Sequence, residues 1–346
     1  MTRRSFILSG LILSLSALFA HAGQSDKRLD IYWIDTEGGA AVLFVTPAGE
    51  SVLIDTGNPG ERDPARIVKA VQGAGLKAID HLVTTHYHSD HFGGASAVAK
   101  VIPIRNVYDN GDKNPAREKP PADYLAMPVE KRIVINPGDI ISLRAADGTP
   151  RLEMKCIATR KQFIEPPTGA PQNPLCGTVQ GKPQDLTDNA NSIVLLLSFG
   201  DFRSYHGGDL TWNMESKLVC PVNLVGEVDL YQVTHHGMDT SNNPVVIKSL
   251  RPTIAVMNNG TTKGGGPETM AALKTTDSVK AIYQSHKVLR PDAKENAPDE
   301  YIANLPEKCE GNVIKLSVDE KAKTYTVSIP ANGHDKTYEV KGKSSN

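Results

Sequence analysis

Thr85-His86-Tyr87-His88-Ser89-Asp90-His91-Phe92-Gly93-Gly94 is the stretch on which the reading of the whole chain turns. Four metal-capable side chains, His86, His88, Asp90 and His91, fall within six residues of one another. Residues 81–85, just before them, are predicted to form a short strand. Side chains of an extended chain alternate with period two, so His86 and His88 point the same way and can grip one ion. Asp90 and His91 arrive where the chain turns toward the next helix, and can face a second ion. Gly93 and Gly94 let the backbone turn tightly at that point. Imidazole and carboxylate are the ligand set expected of zinc, with bonds of about 2.0–2.2 Å. Manganese and iron accept the same donors. A lone histidine would read as a solvated loop residue. A run of donors between an apolar strand and Gly-Gly does not.

Outward from this run, the N-terminal side reads as a β-meander over residues 29–34, 41–46 and 51–54. Asp63 is placed to cap a helix with Pro64 at its first position and Ile67, Val68 and Val71 on one face. A short helix over residues 94–100 and a strand over 101–108 follow, then a polar, Pro-rich loop over 109–130. Strands are expected at 132–135 and 140–143, around Pro137-Gly138. Residues 160–187 are dense in Pro, Gly, Gln and Thr and read as a long irregular insertion. A second β/α stretch follows. Its strands are 192–198, 202–206, 228–234, 253–258 and 280–284; its helices are 210–219, 245–250 and 268–274. Residues 311–340 read as a β-hairpin built from 312–318 and 324–329. Both strand runs are apolar enough to form sheets packed on each other with helices outside. No linker separates two domains, so residues 23–346 are read as one.

The His-x-His-x-Asp-His run resembles the signature of the metallo-β-lactamase superfamily. That resemblance implies an α/β fold, an αββα four-layer sandwich, with a two-metal site between the ends of its two sheets. Val52-Leu53-Ile54-Asp55-Thr56-Gly57 is similar to the family's strand ending in Asp-x-Gly. By that resemblance Asp55 orients the site rather than binding metal, fixing ligand rotamers and basicity. Gly207-Gly208-Asp209 closes strand 202–206 and resembles the family's bridging aspartate, whose two oxygens can touch both ions. Thr234-His235-His236-Gly237 closes strand 228–234 and is similar to the His-His-Gly element of the branch related to the hydrolase domain of competence protein ComEC. His235 is assigned to metal and His236 to substrate contact or proton transfer, the choice between them staying open.

Asn189-Ala190-Asn191-Ser192-Ile193-Val194-Leu195 resembles a strand lead-in of the same branch. Ile34-Asp35-Thr36-Glu37-Gly38-Gly39-Ala40 matches that branch's acidic Gly-rich turn only at Asp35 and Gly39. Many family members carry a third histidine where this chain has Asp188-Asn189-Ala190-Asn191; Asp188, Asn191 or a water could stand in for it. His206 also offers itself, yet it lies three residues before Asp209 and faces the opposite side on a regular strand. His81, His286 and His334 stand alone in the sequence and read as structural or surface residues.

Two divalent ions, zinc first and manganese or iron next, would share a water and lower its pKa to near 7. The bridging hydroxide would attack a carbonyl carbon or a phosphorus, with Asp90 orienting it and accepting its proton. The expected function is an exported metal-dependent hydrolase of a phosphoester, a phosphodiester above all. Hydrolysis of an ester, lactone or β-lactam is the alternative, and a non-catalytic metal-binding protein of the same fold a further one. Lys263-Gly264-Gly265-Gly266 reads as a flexible turn, or as a source of backbone amides and an ammonium for an anionic substrate.

Composition narrows the setting. The chain has 346 residues, 39% of them hydrophobic and 22% charged, with a formal net charge of −1. That balance offers no basic excess for a stable nucleic-acid partner. A small-molecule or envelope-derived substrate is expected instead. Arg3 and Arg4, an apolar stretch over residues 6–19 and Ala20-His21-Ala22 have the form of a signal peptide over residues 1–22, and Thr2-Arg3-Arg4-Ser5-Phe6-Ile7 resembles a signal of twin-arginine type. Cleavage would leave no membrane anchor and a periplasmic or secreted protein. Cys156, Cys176, Cys220 and Cys309 allow three pairings, and a structural role in pinning the segment around Cys176 is expected. The sequence leaves the oligomeric state open.

Overall fold

The computed structural model describes residues 25–111, 119–293, 295–308 and 311–342. The signal-peptide reading, Cys309 and part of the 109–130 loop lie outside them. No helix among the described residues is long and apolar enough to cross a membrane.

In chain order the strands of the first half are β1 (Leu29–Trp33), β2 (Val42–Val45), β3 (Ser51–Ile54), β4 (Ile79–Val83), β5 (Ile104–Asp109), β6 (Val129–Val134), β7 (Ile140–Ile141), β8 (Leu152–Thr159) and β9 (Gln162–Phe163). Those of the second half are β10 (Val194–Phe199), β11 (Phe202–His206), β12 (Leu230–Gln232), β13 (Ile254–Met257), β14 (Ala281–His286), β15 (Ile302–Asn304), β16 (Ile314–Val318), β17 (Thr324–Ile329) and β18 (His334–Glu339). They form two nine-stranded sheets. The first runs β18-β17-β16-β1-β2-β3-β4-β5-β6; the second runs β15-β14-β13-β12-β11-β10-β8-β7, with β9 paired to β8.

The sheets face each other across one apolar layer that includes Trp33, Phe44, Leu195, Phe199, Phe202 and Tyr325, all almost fully buried. Removing one such ring costs about 3–5 kcal/mol. Outside the first sheet pack α1 (Arg62–Gly73), the short α2 (Ser89–Phe92), α3 (Ala95–Ala99) and α4 (Ala122–Leu125), through Ile67, Val71, Phe92, Val98 and Tyr124. Outside the second pack α5 (Trp212–Ser216), α6 (Pro244–Leu250) and α7 (Pro267–Lys274), through Met214, Val246 and Leu273. Helix, sheet, sheet, helix is the αββα sandwich. The β3–β4 and β11–β12 pairs are parallel, so within each sheet the carboxyl ends of the two strands lie together.

Several local expectations shift. Asp63 lies inside the first turn of α1 rather than capping it; its Oδ2 instead accepts from the backbone N of Asn58 at 2.7 Å. Residues 101–103 stay outside β5, with Val101 61% exposed. The helix expected over 210–219 is confined to Trp212–Ser216. The C-terminal hairpin gains a third strand, β18, whose register runs from Thr324 opposite Glu339 to Ile329 opposite His334. Cys176 and Cys220 form a disulfide that pins the irregular insertion beside α5, and Cys156 is a buried free thiol.

Candidate metal centre

Four loops carry the site, and each begins where a strand ends. After β3, Asp55 takes a left-handed backbone with φ of 60°. After β4 the chain runs Thr84-Thr85-His86 into the short helix α2 (Ser89–Phe92). Gly93 and Gly94 allow the next turn to press on the β3 loop. A Cβ at Gly93 would lie 2.1 Å from Ser89 O, and one at Gly94 2.2 Å from Thr56 O. After β11 comes Asp209, whose backbone N donates to Ser192 Oγ at 3.2 Å. After β12 come His235 and His236, both left-handed with φ of 55°. Such φ values cost a non-glycine residue about 1–3 kcal/mol, and their clustering here points to function.

The imidazoles converge on one oxygen. Asp209 Oδ2 lies 3.1 Å from His91 Nε2, 3.4 Å from both His235 Nε2 and His236 Nε2, and 3.9 Å from His86 Nε2. Two candidate metal-binding groups result, His86-His88-Asp209 and Asp90-His91-Asp209-His236, each with donor atoms within 4.8 Å of one another. They share Asp209, the arrangement of a binuclear centre.

The far side of each ring is anchored. His91 Nδ1 lies 2.7 Å from Asp55 Oδ2, and Asp55 is itself held by Thr85 N and Thr85 Oγ1, both at 2.8 Å. His236 Nδ1 donates to Asn258 O at 3.2 Å. With Nδ1 of each ring anchored in this way, the two Nε2 atoms face each other at 3.2 Å, and in the neutral rings these are lone pairs. Asp90 Oδ2 and Asp209 Oδ2 add acceptors to the same space. Acceptors facing acceptors in a buried site need a cation between them. The buried Nε2 of His86 makes no hydrogen bond among the described residues. The residues therefore fit a pair of divalent ions. The same field acts on protons: burial works against charging His91, but Asp209, Asp55 and Asp90 overcome it and raise its pKa well above the usual range. Burial likewise opposes Asp90's charge, and His91 and His236 nonetheless hold it below the ordinary carboxylate range.

His235 and His236 are thus placed differently. His236 belongs to the four-residue group; His235 stands beside it, with Nδ1 3.0 Å from Ser241 Oγ and Nε2 3.5 Å from Asn189 Nδ2. Asp188 and Asn191 are turned elsewhere. Asp188 Oδ2 accepts from Tyr87 N at 2.7 Å and its Oδ1 from Asn191 Nδ2 at 3.1 Å, which steadies the backbone between His86 and His88. His206 pairs with Ser204 Oγ at 2.6 Å and packs edge-on against Phe44, outside both metal groups. Burial pushes its pKa down to about 3. His81 and His286, solitary in sequence, have carboxylate neighbours: Glu50 at 3.1 Å and Asp35 at 2.6 Å. The second pair ties a loop of the first sheet to the end of β14.

Sequence reasoning left one neighbour of the centre undecided. Lys263 Nζ lies 2.5 Å from Asp90 Oδ2, across 173 residues of chain.

Residues 35–173 match the model of the metallo-β-lactamase superfamily. Over that stretch the chain is similar to members of this superfamily. That segment holds Asp55, His86, His88, Asp90 and His91; Asp209 and the histidine pair come later in the chain. The chain is also similar to recombination protein 2 of Haemophilus influenzae, 23% identical over 257 residues, which covers 72% of this chain and 27% of that protein. It is 26% identical over 262 residues to competence protein ComA of Neisseria gonorrhoeae, covering 75% and 30%. It thus spans less than a third of the length of these two curated relatives. Among solved structures it is similar to CmlA, a diiron beta-hydroxylase from Streptomyces venezuelae. The TM-score is 0.41 at 16% identity, over 68% of this chain and 45% of that one.

Proposed function

We propose that this protein is a metal-dependent hydrolase that opens an ester, lactone or β-lactam bond. The observation that carries a hydrolase is the convergence of four imidazole Nε2 atoms on Asp209 Oδ2, with Asp90 completing the second group. A pair of divalent ions bound there supplies an activated water and polarises the bond under attack. The match of residues 35–173 to a superfamily named for β-lactam hydrolysis supports ranking a carboxyl-derived bond above the phosphodiester expected from sequence.

The residues take distinct parts. His86, His88 and Asp209 would hold one ion, and Asp90, His91, Asp209 and His236 the other, and zinc suits these donors. Asp55 holds the His91 ring in place and keeps its Nε2 toward the site. His235, fixed by Ser241 and facing Asp209, adjoins the first group as a further donor. Asp90, which faces both His91 and His236, orients the attacking water and takes up its proton. A phosphodiester is the second reading. It is favoured by Asn189, whose amide Nδ2 lies 3.5 Å from His235 Nε2 in the stretch where the superfamily resemblance implies a third histidine. The signal-like N-terminus supports export, so the substrate would be met outside the cytoplasm.

The test is a substrate panel on the chain from residue 23 onward, loaded with zinc or manganese. It comprises p-nitrophenyl esters, a lactone, a β-lactam and bis-p-nitrophenyl phosphate, with a His86→Ala/Asp90→Asn control. Turnover of a carboxyl-derived bond that vanishes in the control supports the first reading. Turnover of the phosphodiester alone replaces it with the second. No turnover with two metals bound per chain removes both.

A further inference from the structure

We propose that Lys263 forms an oxyanion-binding subsite beside the metal groups, and that the substrate carries a carboxylate or phosphate next to the bond that is broken. The proposal rests on the hydrolase reading and names its substrate class.

Among the described residues, Lys263 is the lysine or arginine that pairs with Asp55, Asp90 or Asp209; their other charged neighbours are histidines. Its side chain is 36% exposed and that of Asp90 18% exposed, so the ammonium stands between the buried donors and solvent.

The loop that carries it is tied down. Lys263 O accepts from Gly260 N at 2.9 Å, and Gly265 N donates to His236 O at 3.1 Å, which links the loop to the histidine turn itself. Gly264 has a φ of +82°, and a Cβ there would lie 1.9 Å from His236 O, so only glycine permits this approach. Arg290 donates to Gly264 O at 2.6 Å and to Thr262 O at 3.3 Å. The stem of Lys263 is packed as well, since a Cβ on Gly38 would lie 3.0 Å from Lys263 Cβ. Surface lysines are ordinarily mobile and bind little. One whose loop and stem are held in this way gives up less freedom when it binds.

Asp90 Oδ2 does not account for this lysine by itself. The same oxygen faces His91 Nε2 at 3.5 Å and His236 Nε2 at 3.2 Å, where a doubly charged ion, when bound, would compete for it against a single ammonium. The ammonium, no longer held by Asp90, would stay at the rim with donors for an incoming oxyanion, and charge-assisted bonds are the strong ones.

The experiment is calorimetric titration of the zinc-loaded protein with inorganic phosphate and, separately, acetate. Wild type, Lys263→Gln and Lys263→Arg are compared, with metal content measured on each sample. Affinity for at least one anion is expected to fall about tenfold in Lys263→Gln, the worth of one charge-assisted hydrogen bond. Two metals per chain should remain, and Lys263→Arg should retain most of the affinity. The anion showing the larger loss identifies the oxyanion class. Equal affinities in wild type and Lys263→Gln would mean that the metals alone bind the anion, and the subsite is overturned. Loss of metal in Lys263→Gln overturns it too, since the lysine would then serve the metal groups. Binding is read without turnover, so Lys263-dependent binding in a protein that hydrolyses nothing leaves the subsite standing and removes the hydrolase reading.

Discussion

Asp55 Oδ2 lies 2.7 Å from His91 Nδ1, and the opposite nitrogen of the same ring lies 3.1 Å from Asp209 Oδ2. A carboxylate, an imidazole and a second carboxylate thus form a line from the end of β3 into the centre. The first fixes which nitrogen of His91 carries its proton, and so which one is left to bind. Replacing Asp55 by Asn keeps the size and removes the charge. Zinc affinity is expected to fall about 10- to 100-fold, measured by competition with a chromogenic chelator. An unchanged affinity would show that Asp55 does not govern the ring.

Asp209 is the meeting point of both donor groups. Asp209→Asn is therefore expected to cost both ions together, whereas His88→Ala should cost chiefly one. Elemental analysis after dialysis against zinc distinguishes the two patterns. Two ions retained in Asp209→Asn would mean that the groups do not share this carboxylate.

Glu215, on α5, lies fully buried beneath the histidine turn, where its Oε2 accepts from Asn243 N at 2.9 Å. Burial pushes its pKa up to about 8 from an ordinary 4.5. The folded state therefore keeps a proton that the unfolded chain releases, and stability falls as pH rises from about 4.5 to about 8. Glu215→Gln carries no such proton. Relative to wild type it should gain a few kcal/mol between pH 5 and pH 8, seen in urea midpoints at the two pH values. Parallel pH profiles would place the Glu215 carboxylate in ordinary surroundings.

The Cys176–Cys220 bridge closes a separation of 44 residues. Chain entropy assigns such a loop about 4 kcal/mol, and measured bridges commonly give about 2–4. The Cys176→Ser/Cys220→Ser double variant should unfold at lower urea while binding zinc as wild type does, since neither metal group includes a residue of the insertion. Loss of metal in that variant would tie the insertion to the centre.

How far the sequence could be read follows from the range of the forces involved. The αββα class was legible because the apolar strands and the turns between them are local. The pairing of His86 with His88 was legible because an extended chain puts alternate side chains on one side. The placement of Asp63 went astray for a related reason. Asp-Pro looks like a helix start, but helix α1 begins at Arg62 and the Asp63 carboxylate is drawn to Asn58. Strand β18 was not legible, because His-Asp-Lys-Thr-Tyr-Glu has little apolar content. It forms as the edge of a sheet, with Tyr338 the buried residue among its six.

By itself the sequence determined the donors and their local spacing: the His86–His91 run, a carboxylate after each of two strands, and a histidine pair after a third. Only the tertiary structure decided which atoms meet. The left-handed turn at His235 and His236 separates the two rings, and Asn258 O turns His236 into the four-residue group while Ser241 holds His235 beside it. Lys263 reaches Asp90 only because the loop after β13 folds back on that turn through Gly264. Spacing along a strand is set by bond geometry over a few residues, whereas contacts across 173 residues exist only once two sheets have packed and their carboxyl ends share one rim.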